Sequence, residues 1–374
     1  SGTTLCALDF YESQARLDGA FCNITEEEKN NYLYQLQDAG VVNIEMEAIT
    51  FASMCYYAGI KGAIICVALL NRLNGDQISS SKEYLDDLQI RPQILAAKLI
   101  KKQTHDLPAL FGDVKFVCVG GTLKRMKSFA QYMANQLNIE FDHKDWTQAS
   151  HRYNMFKIGP VLSVTHGMGI SSLSILLHEL IKLVYYAKCT NVIFLRIGTC
   201  GGIGVDQGTV IITEKAVDGL LRPFYELYIL GKVVQRPSIC DNELVSELKS
   251  IAAQEISGFR VVSGTTLCAL DFYESQARLD GAFCNITEEE KNNYLYQLQD
   301  AGVVNIEMEA IAFASMCYYA GIKGAIICVA LLNRLNGDQV SSSKEYLDDL
   351  QIRPQILAAK LIKKRLAEYK AHKL

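Results

Sequence analysis

The sequence predicts an α/β protein whose mostly parallel or mixed sheet is covered by helices on both faces. Three observations carry this. From Thr104 onward, short β-rich runs alternate with stretches of helical periodicity. The runs are near-continuously apolar, as in strands buried on both faces. Three of them end in glycine-bearing turns, VGGTLKR, THGMG and GTCGGIG. In such sheets ligands gather at strand ends, where glycine lets backbone amides come close.

The elements follow in order. Residues 115–119 (KFVCV) read as a strand ending in Gly120-Gly121, and residues 126–137 as an amphipathic helix. Residues 161–164 form a strand running into THGMG, followed by helical spacing over 171–187. Residues 191–197 (NVIFLRI) are a buried strand by composition. Residues 208–217 and 259–265 read as strands flanking a helix over 242–256. Thr287 and Glu290 fit a capping box, opening a helix that runs to about Gly302. Two more β/α units follow: 303–307 into 310–320, and 324–331 into a final helix from about Pro354.

The chain also repeats itself. Ser1–Lys102 recurs as Ser263–Lys364 with only two changes, Thr50 to Ala312 and Ile78 to Val340. A solenoid repeats many times at a shorter period, so this is a copied block and not a repeat architecture. Residues 104–374 are long enough for one large α/β domain.

Bulk properties exclude several classes. A net charge of −4 gives no general affinity for nucleic acid or anionic membrane. No apolar run approaches the roughly 20 residues of a membrane helix, and the first residues lack a signal-peptide layout. None of the twelve cysteines forms a C-x-x-C pair, which predicts reduced thiols in a cytoplasmic protein. The six histidines show no ligand spacing, so no metal or cofactor is expected.

The strand ends hold the chemistry. Gly120-Gly121 with Arg125 offers free amides and a guanidinium for an oxyanion, although a Gly-Gly pair is more often only a turn. Arg196 follows four buried apolar residues and needs an anion, with Thr199 just after it; the alternative is a structural ion pair. Gln276 and Arg278 are two apart and would share a face if extended, presenting an amide and a guanidinium to an imide edge. Glu307 and Glu309 flank Met308 at a strand end. Paired carboxylates there suit a cis-diol, and the thioether suits a sugar face. The plainer account is two acids opening a helix.

These groups describe a site for an anion, a ribose diol and an imide base. At this point the sequence closely resembles the uridine phosphorylases, within the nucleoside phosphorylase family, over residues 104–366. The stretches that carry the resemblance are FGDVKFVCVGG, GPVLSVTHGMGI, LRIGTCGGIG, LDFYESQARLDGA, NIEMEA and LLNRLNGDQ. The resemblance implies a nucleoside phosphorylase-like mixed sheet, a distorted barrel flanked by helices. It implies reversible phosphorolysis of uridine to uracil and ribose 1-phosphate, with inorganic phosphate as co-substrate. Gly121, Arg125, Arg196 and Thr199 would bind phosphate, with Arg152 from a neighbouring subunit. His105 of the same neighbour would reach the ribose 5′ side, and Glu307, Met308 and Glu309 would hold the sugar. Gln276 and Arg278 would read uracil, Phe272 would stack near it, and Arg334 would belong to a loop closing over the base. The resemblance thus implies small-molecule substrates only, and a homodimer or larger assembly with shared sites.

Several positions depart from that pattern. Ser275 and Ala277 stand where the family usually has glycines, Cys200 replaces a serine, and Ser171 replaces a proline. They leave open a catalytically impaired member that binds nucleoside or a partner chain, or a phosphorylase for other pyrimidine nucleosides or deoxynucleosides. Residues 1–102 carry Gln14, Arg16, Glu45 and Glu47 but no counterpart of Gly121, Arg125, Arg152, Arg196 or Thr199. Alone they are an incomplete half-sheet with open edges. Either they compete with residues 263–364 to complete one N-terminal half, or two tandem gene copies have been merged.

Overall fold

The computed structural model describes residues 2–59, 64, 66, 68–77, 106–147 and 152–371. The repeat opens the chain with β1 (Thr3–Cys6), α1 (Glu26–Asp38), β2 (Val41–Glu45) and α2 (Ala48–Tyr57). After it come α3 (Leu107–Phe111), β3 (Phe116–Gly120) and α4 (Leu123–Leu137). Next are β4 (Met155–Ile158), β5 (Val161–Thr165), α5 (Gly169–Tyr186), β6 (Ile193–Gly202) and β7 (Val210–Val217). A hairpin of β8 (Phe224–Ile229) and β9 (Lys232–Pro237) leads to α6 (Asn242–Glu255) and β10 (Val261–Cys268). The chain ends through α7 (Glu288–Asp300), β11 (Val303–Glu307), α8 (Ala310–Tyr319), β12 (Lys323–Asn333), α9 (Lys344–Leu350) and α10 (Ile352–Ala371).

Eight strands form the main sheet in the order β11-β10-β7-β12-β6-β3-β5-β4. A further antiparallel pairing of β11 with β6, Asn305 to Gly202 and Ile306 to Gly201, closes five of them into a barrel-like ring. This closure removes an open edge. It also brings the end of β11 against the glycine-rich end of β6. The strands are buried as their composition requires: all five residues of β3 and of β5 are buried. Leu195, Ile197, Ile211, Ile327 and Val329 lie at the centre of the sheet. Helices cover both faces, α5 with α8 on one and α4, α6 and α10 on the other.

The predicted strands and helices are present, with boundaries moved by a few residues. Several things differ, and α3 and β4 were not read from the sequence. The strand predicted at 191–197 extends through GTCGG to Gly202, because β12 pairs with it as far as Asn333. The final helix is present as α10, and a short helix not read from the sequence, α9, capped by Ser343, precedes it. The β8–β9 hairpin was not read, since its apolar residues are interleaved with Glu226, Lys232, Gln235 and Arg236.

The repeat also forms structure. β1 pairs with β2 in parallel, Thr3 to Val41 and Cys6 to Glu45, matching Thr265 to Val303 and Cys268 to Glu307 in the second copy. It remains a two-stranded sheet whose helix faces water. Ile49 is 66% exposed in α2, against 3% for its counterpart Ile311. Among the described residues no helix is long and apolar enough to cross a membrane.

Candidate active site

Local sequence places each group. Thr122 caps α4 by accepting from the Arg125 amide at 3.4 Å, so Arg125 sits in the first helical turn beyond β3. Its side chain is buried, 8% exposed. Nε donates to Gln351 at 3.1 Å and Nη2 to Thr199 at 3.3 Å. Both partners are neutral. Among the described residues no carboxylate ion-pairs with Arg125. Burial, with the nearby Arg196 charge, pulls its pKa down to about 10.

Arg196 lies inside β6 and is 2% exposed. It ion-pairs with Glu307 at 2.8 Å and with Glu309, and Nη1 donates to Cys328 at 3.3 Å. Both expectations for Arg196 are therefore relevant: the structural ion pair exists, and it sits among the other site groups. Burial opposes the charge, but the two acids outweigh it and raise the Arg196 pKa. Gly198 is needed here, because a Cβ would fall 2.9 Å from Arg196 Nη1 and 3.0 Å from Cys328 Sγ.

The acids divide the work. Glu307 accepts from the Glu309 and Ala310 amides at 2.9 and 2.8 Å, opening α8 as the plainer account expected. Burial raises it to about 7, against the pull of Arg196 and with the help of Glu309. Glu309 accepts from the Gly169 amide at 2.6 Å and from Arg196. Burial would raise its pKa, but Arg196 and the Gly169 amide bring it below the usual range. Met308 is half-buried between them.

Gly121 joins the same cluster. A Cβ there would stand 3.0 Å from the Gly167 carbonyl and 3.8 Å from both Arg125 Nη1 and His166. His166 was not singled out from sequence, since one histidine after a strand is usually a core residue. It is buried, and burial together with the two arginines lowers its pKa to about 3, so it is neutral. Gln351 was also missed, and nothing in its sequence context marks it. Cys200 is buried and its thiol faces Cys328 and Asn305.

The base-side residues form a second cluster. Gln276 and Arg278 are not extended: Glu274–Gln276 is a 3-10 turn and Ala277 is left-handed at φ 51°. Both side chains are nonetheless buried together, because the turn folds inward. Arg278 pairs with Asp280 at 2.6 Å and lies 4.6 Å from the half-exposed ring of Phe272. Arg334, expected in a closing loop, is 1% exposed. It donates to the Gln276 carbonyl at 2.7 Å and pairs with Asp338 at 2.9 Å. Its aliphatic stem packs on Gly201, where a Cβ would approach to 2.9 Å. Arg334 thus ties the Gln276 turn to the end of β6. Arg152 is exposed beside Tyr153, and His105 lies outside the described residues.

Among the described residues the N-terminal copy has no such centre. Glu45 and Glu47 line an open hollow with Ala48, Phe51 and Ile64, and among the described residues no arginine ion-pairs with them.

The model of the phosphorylase superfamily matches residues 1–101 and 115–363. Uridine phosphorylase 1 of Mus musculus is 49% identical over 270 residues, covering 71% of this chain and 86% of that protein. Uridine phosphorylase 2 of Homo sapiens is 50% identical over 267 residues, covering 71% and 84%. The crystal structure of uridine phosphorylase from Schistosoma mansoni in complex with thymidine superposes with a TM-score of 0.68 at 39% identity, covering 71% and 91%.

Proposed function

Because the chain belongs to the phosphorylase superfamily, we propose that the site described above is that of a uridine phosphorylase. The enzyme transfers the ribosyl group of uridine to phosphate, giving uracil and ribose 1-phosphate in pyrimidine salvage. The observation that carries this reading is Arg125: a buried guanidinium with only Gln351 and Thr199 as neutral partners, beside a second guanidinium. Arg196 already has Glu307 and Glu309, whereas Arg125 has no carboxylate among the described residues. A buried guanidinium without one is costly until an anion joins it.

In this reading Gly121, Arg125, Arg196 and Thr199 seat phosphate, and Glu309 accepts from the ribose hydroxyls. Phosphate competes with Glu307 and Glu309 for Arg196, so its arrival loosens those pairs and frees carboxylate oxygens for the sugar. Attack on C1′ breaks the glycosidic bond, leaving positive charge on the ribose and negative charge on uracil. Gln276 and Arg278 stabilise that anion from fixed positions, and Phe272 packs beside it. Arg334 positions Gln276 through its backbone carbonyl. Met308 lines the sugar. No residue forms a covalent intermediate, and phosphate is a co-substrate rather than a cofactor. Arg152 and His105 act from a neighbouring subunit in a homodimer or larger assembly; the exposure of Arg152 supports that role.

The test is uracil release from uridine. Equal amounts of uracil and ribose 1-phosphate should appear only when phosphate is present, and Arg125→Gln should lower kcat/KM for phosphate about 10- to 100-fold. Nucleoside binding with no product would instead favour a silent relative, the reading that left-handed Ala277 motivates.

A further inference from the structure

The helix pair at the end of the chain reaches back to the anion side of the site. Gln351 joins α9 to α10, and its side-chain oxygen accepts from Arg125 Nε at 3.1 Å, 226 residues away. The amide can point only one way. Its Nε2 donates to the Leu347 carbonyl at 3.1 Å, so the oxygen faces the guanidinium. Turned over, it would set N–H against N–H at Arg125 and oxygen against oxygen at Leu347. The Gln351 backbone is fixed as well. Its N–H donates to the Leu347 carbonyl at 3.3 Å, and its carbonyl accepts at 3.0 Å from Gln355, which is buried.

The junction is anchored on the sheet and on α4. Leu350 is buried, and Arg353 donates to the Gly208 carbonyl at 2.7 Å, just before β7. Ahead of α9, Ser342 donates to Gln207 at 3.0 Å, and Gln207 donates to the Leu331 carbonyl of β12 at 2.6 Å. Asp348 pairs with Lys124, the neighbour of Arg125 in α4. Gln351 therefore stands on a braced support. With Nε held by Gln351 and Nη2 by Thr199, Arg125 brings Nη1 to 3.8 Å from where a Cβ on Gly121 would stand. Among the described residues Nη1 has no hydrogen-bond partner.

Resting on the reading of Arg125 as a phosphate ligand, we propose that Gln351 is a positioning residue for that arginine. Its amide aims the guanidinium without neutralising it, and so leaves the free edge to the oxyanion. Neutrality is what suits the residue to this task. Glutamate has the same length and would accept the same hydrogen bond, but its carboxylate would hold the guanidinium in an ion pair. An incoming anion would then have to compete for Arg125, as it does for Arg196 beside Glu307 and Glu309. One arginine of the site is thus shared with the acids on the sugar side, and the other is kept for the anion.

Substitutions in the full chain separate positioning from packing. Gln351→Met keeps the volume and removes the acceptor. It should raise the phosphate KM about 10-fold, and by as much the phosphate Kd from calorimetry without nucleoside, leaving the uridine KM unchanged. Gln351→Glu keeps the acceptor and adds a charge, and should raise both phosphate constants about 30-fold. It keeps the shape of the side chain, so it carries the test alone if Gln351→Met does not fold. In an Arg125→Gln background, Gln351→Met should cost less than about two-fold, because the group it aims is gone. Native phosphate affinity in both Gln351 variants overturns the proposal, as does an equal cost of Gln351→Met with and without Arg125. A loss shared equally by phosphate and uridine makes Gln351 a packing residue only, and overturns it too. A native chain that binds no phosphate overturns instead the reading of Arg125, and the role of Gln351 falls with it.

Discussion

Ala277 shows what one side chain costs. Its φ of 51° puts a Cβ in the left-handed region, and the turn is held there by Arg334 on the Gln276 carbonyl and Ser275 on Asp271. Ala277→Gly should stabilise the protein by about 1 kcal/mol, read as a higher denaturant midpoint at unchanged slope. Glu307 gives the pH dependence. Burial raises its pKa from 4.5 to about 7, so the folded state binds the proton more tightly than the unfolded. Its contribution to stability is complete below pH 4.5 and is lost as pH rises through about 7. In the site, deprotonation strengthens its hold on Arg196 against an incoming oxyanion. Sulfate, whose charge is constant from about pH 6 to 8, should therefore inhibit less well as pH rises across that range, and Glu307→Gln should flatten the profile. An unchanged slope in Glu307→Gln would remove Glu307 from that role.

Helix caps are legible because they are local. The capping box at Thr287 forms as the spacing predicts: Thr287 accepts from the Glu290 amide at 3.2 Å, and Glu290 accepts from the Thr287 amide at 2.8 Å. The copy at Thr25 and Glu28 forms the same box. Packing beyond the cap differs, since α7 buries Leu295 and Leu298 while α1 buries only Leu33 of the matching pair. Thr287→Ala should lower global stability by about 1 kcal/mol. Thr25→Ala should leave the main unfolding transition in place and speed exchange only in α1. Equal shifts in the main transition from both variants would show the copies to be equally integrated. The missed β8–β9 hairpin and the end of β6 lack such local marks. The β8–β9 hairpin is recognisable only through its strand pairing, and the extension of β6 only through β12.

The whole molecule has two levels of stability. The barrel-centred body has a continuous core, whereas the repeat has a two-stranded sheet and an α2 whose Ile49, Phe51, Met54 and Tyr56 face water. Unfolding should start in the repeat. Trp146 is the only tryptophan and packs 5.3 Å from Phe111 in the main body. Helical ellipticity should therefore fall at lower denaturant than Trp146 fluorescence changes, and coincident curves would show one cooperative unit.

By itself the sequence determined most of the strands and helices in order, the Thr287 cap, the glycine turns and the residue types for an anion, a sugar and an imide. These depend on neighbours within a few positions, so periodicity and spacing encode them. Tertiary structure alone decided that Arg196 meets Glu307 and Glu309, that Arg125 keeps neutral partners, and that Gln276 is reached by Arg334 from a distant turn. The repeat makes the reason plain. Ile49 and Ile311 sit in near-identical helices, yet one faces water and the other is buried. Identical letters specify the helix, but burial is set by the surfaces that the rest of the chain brings to it.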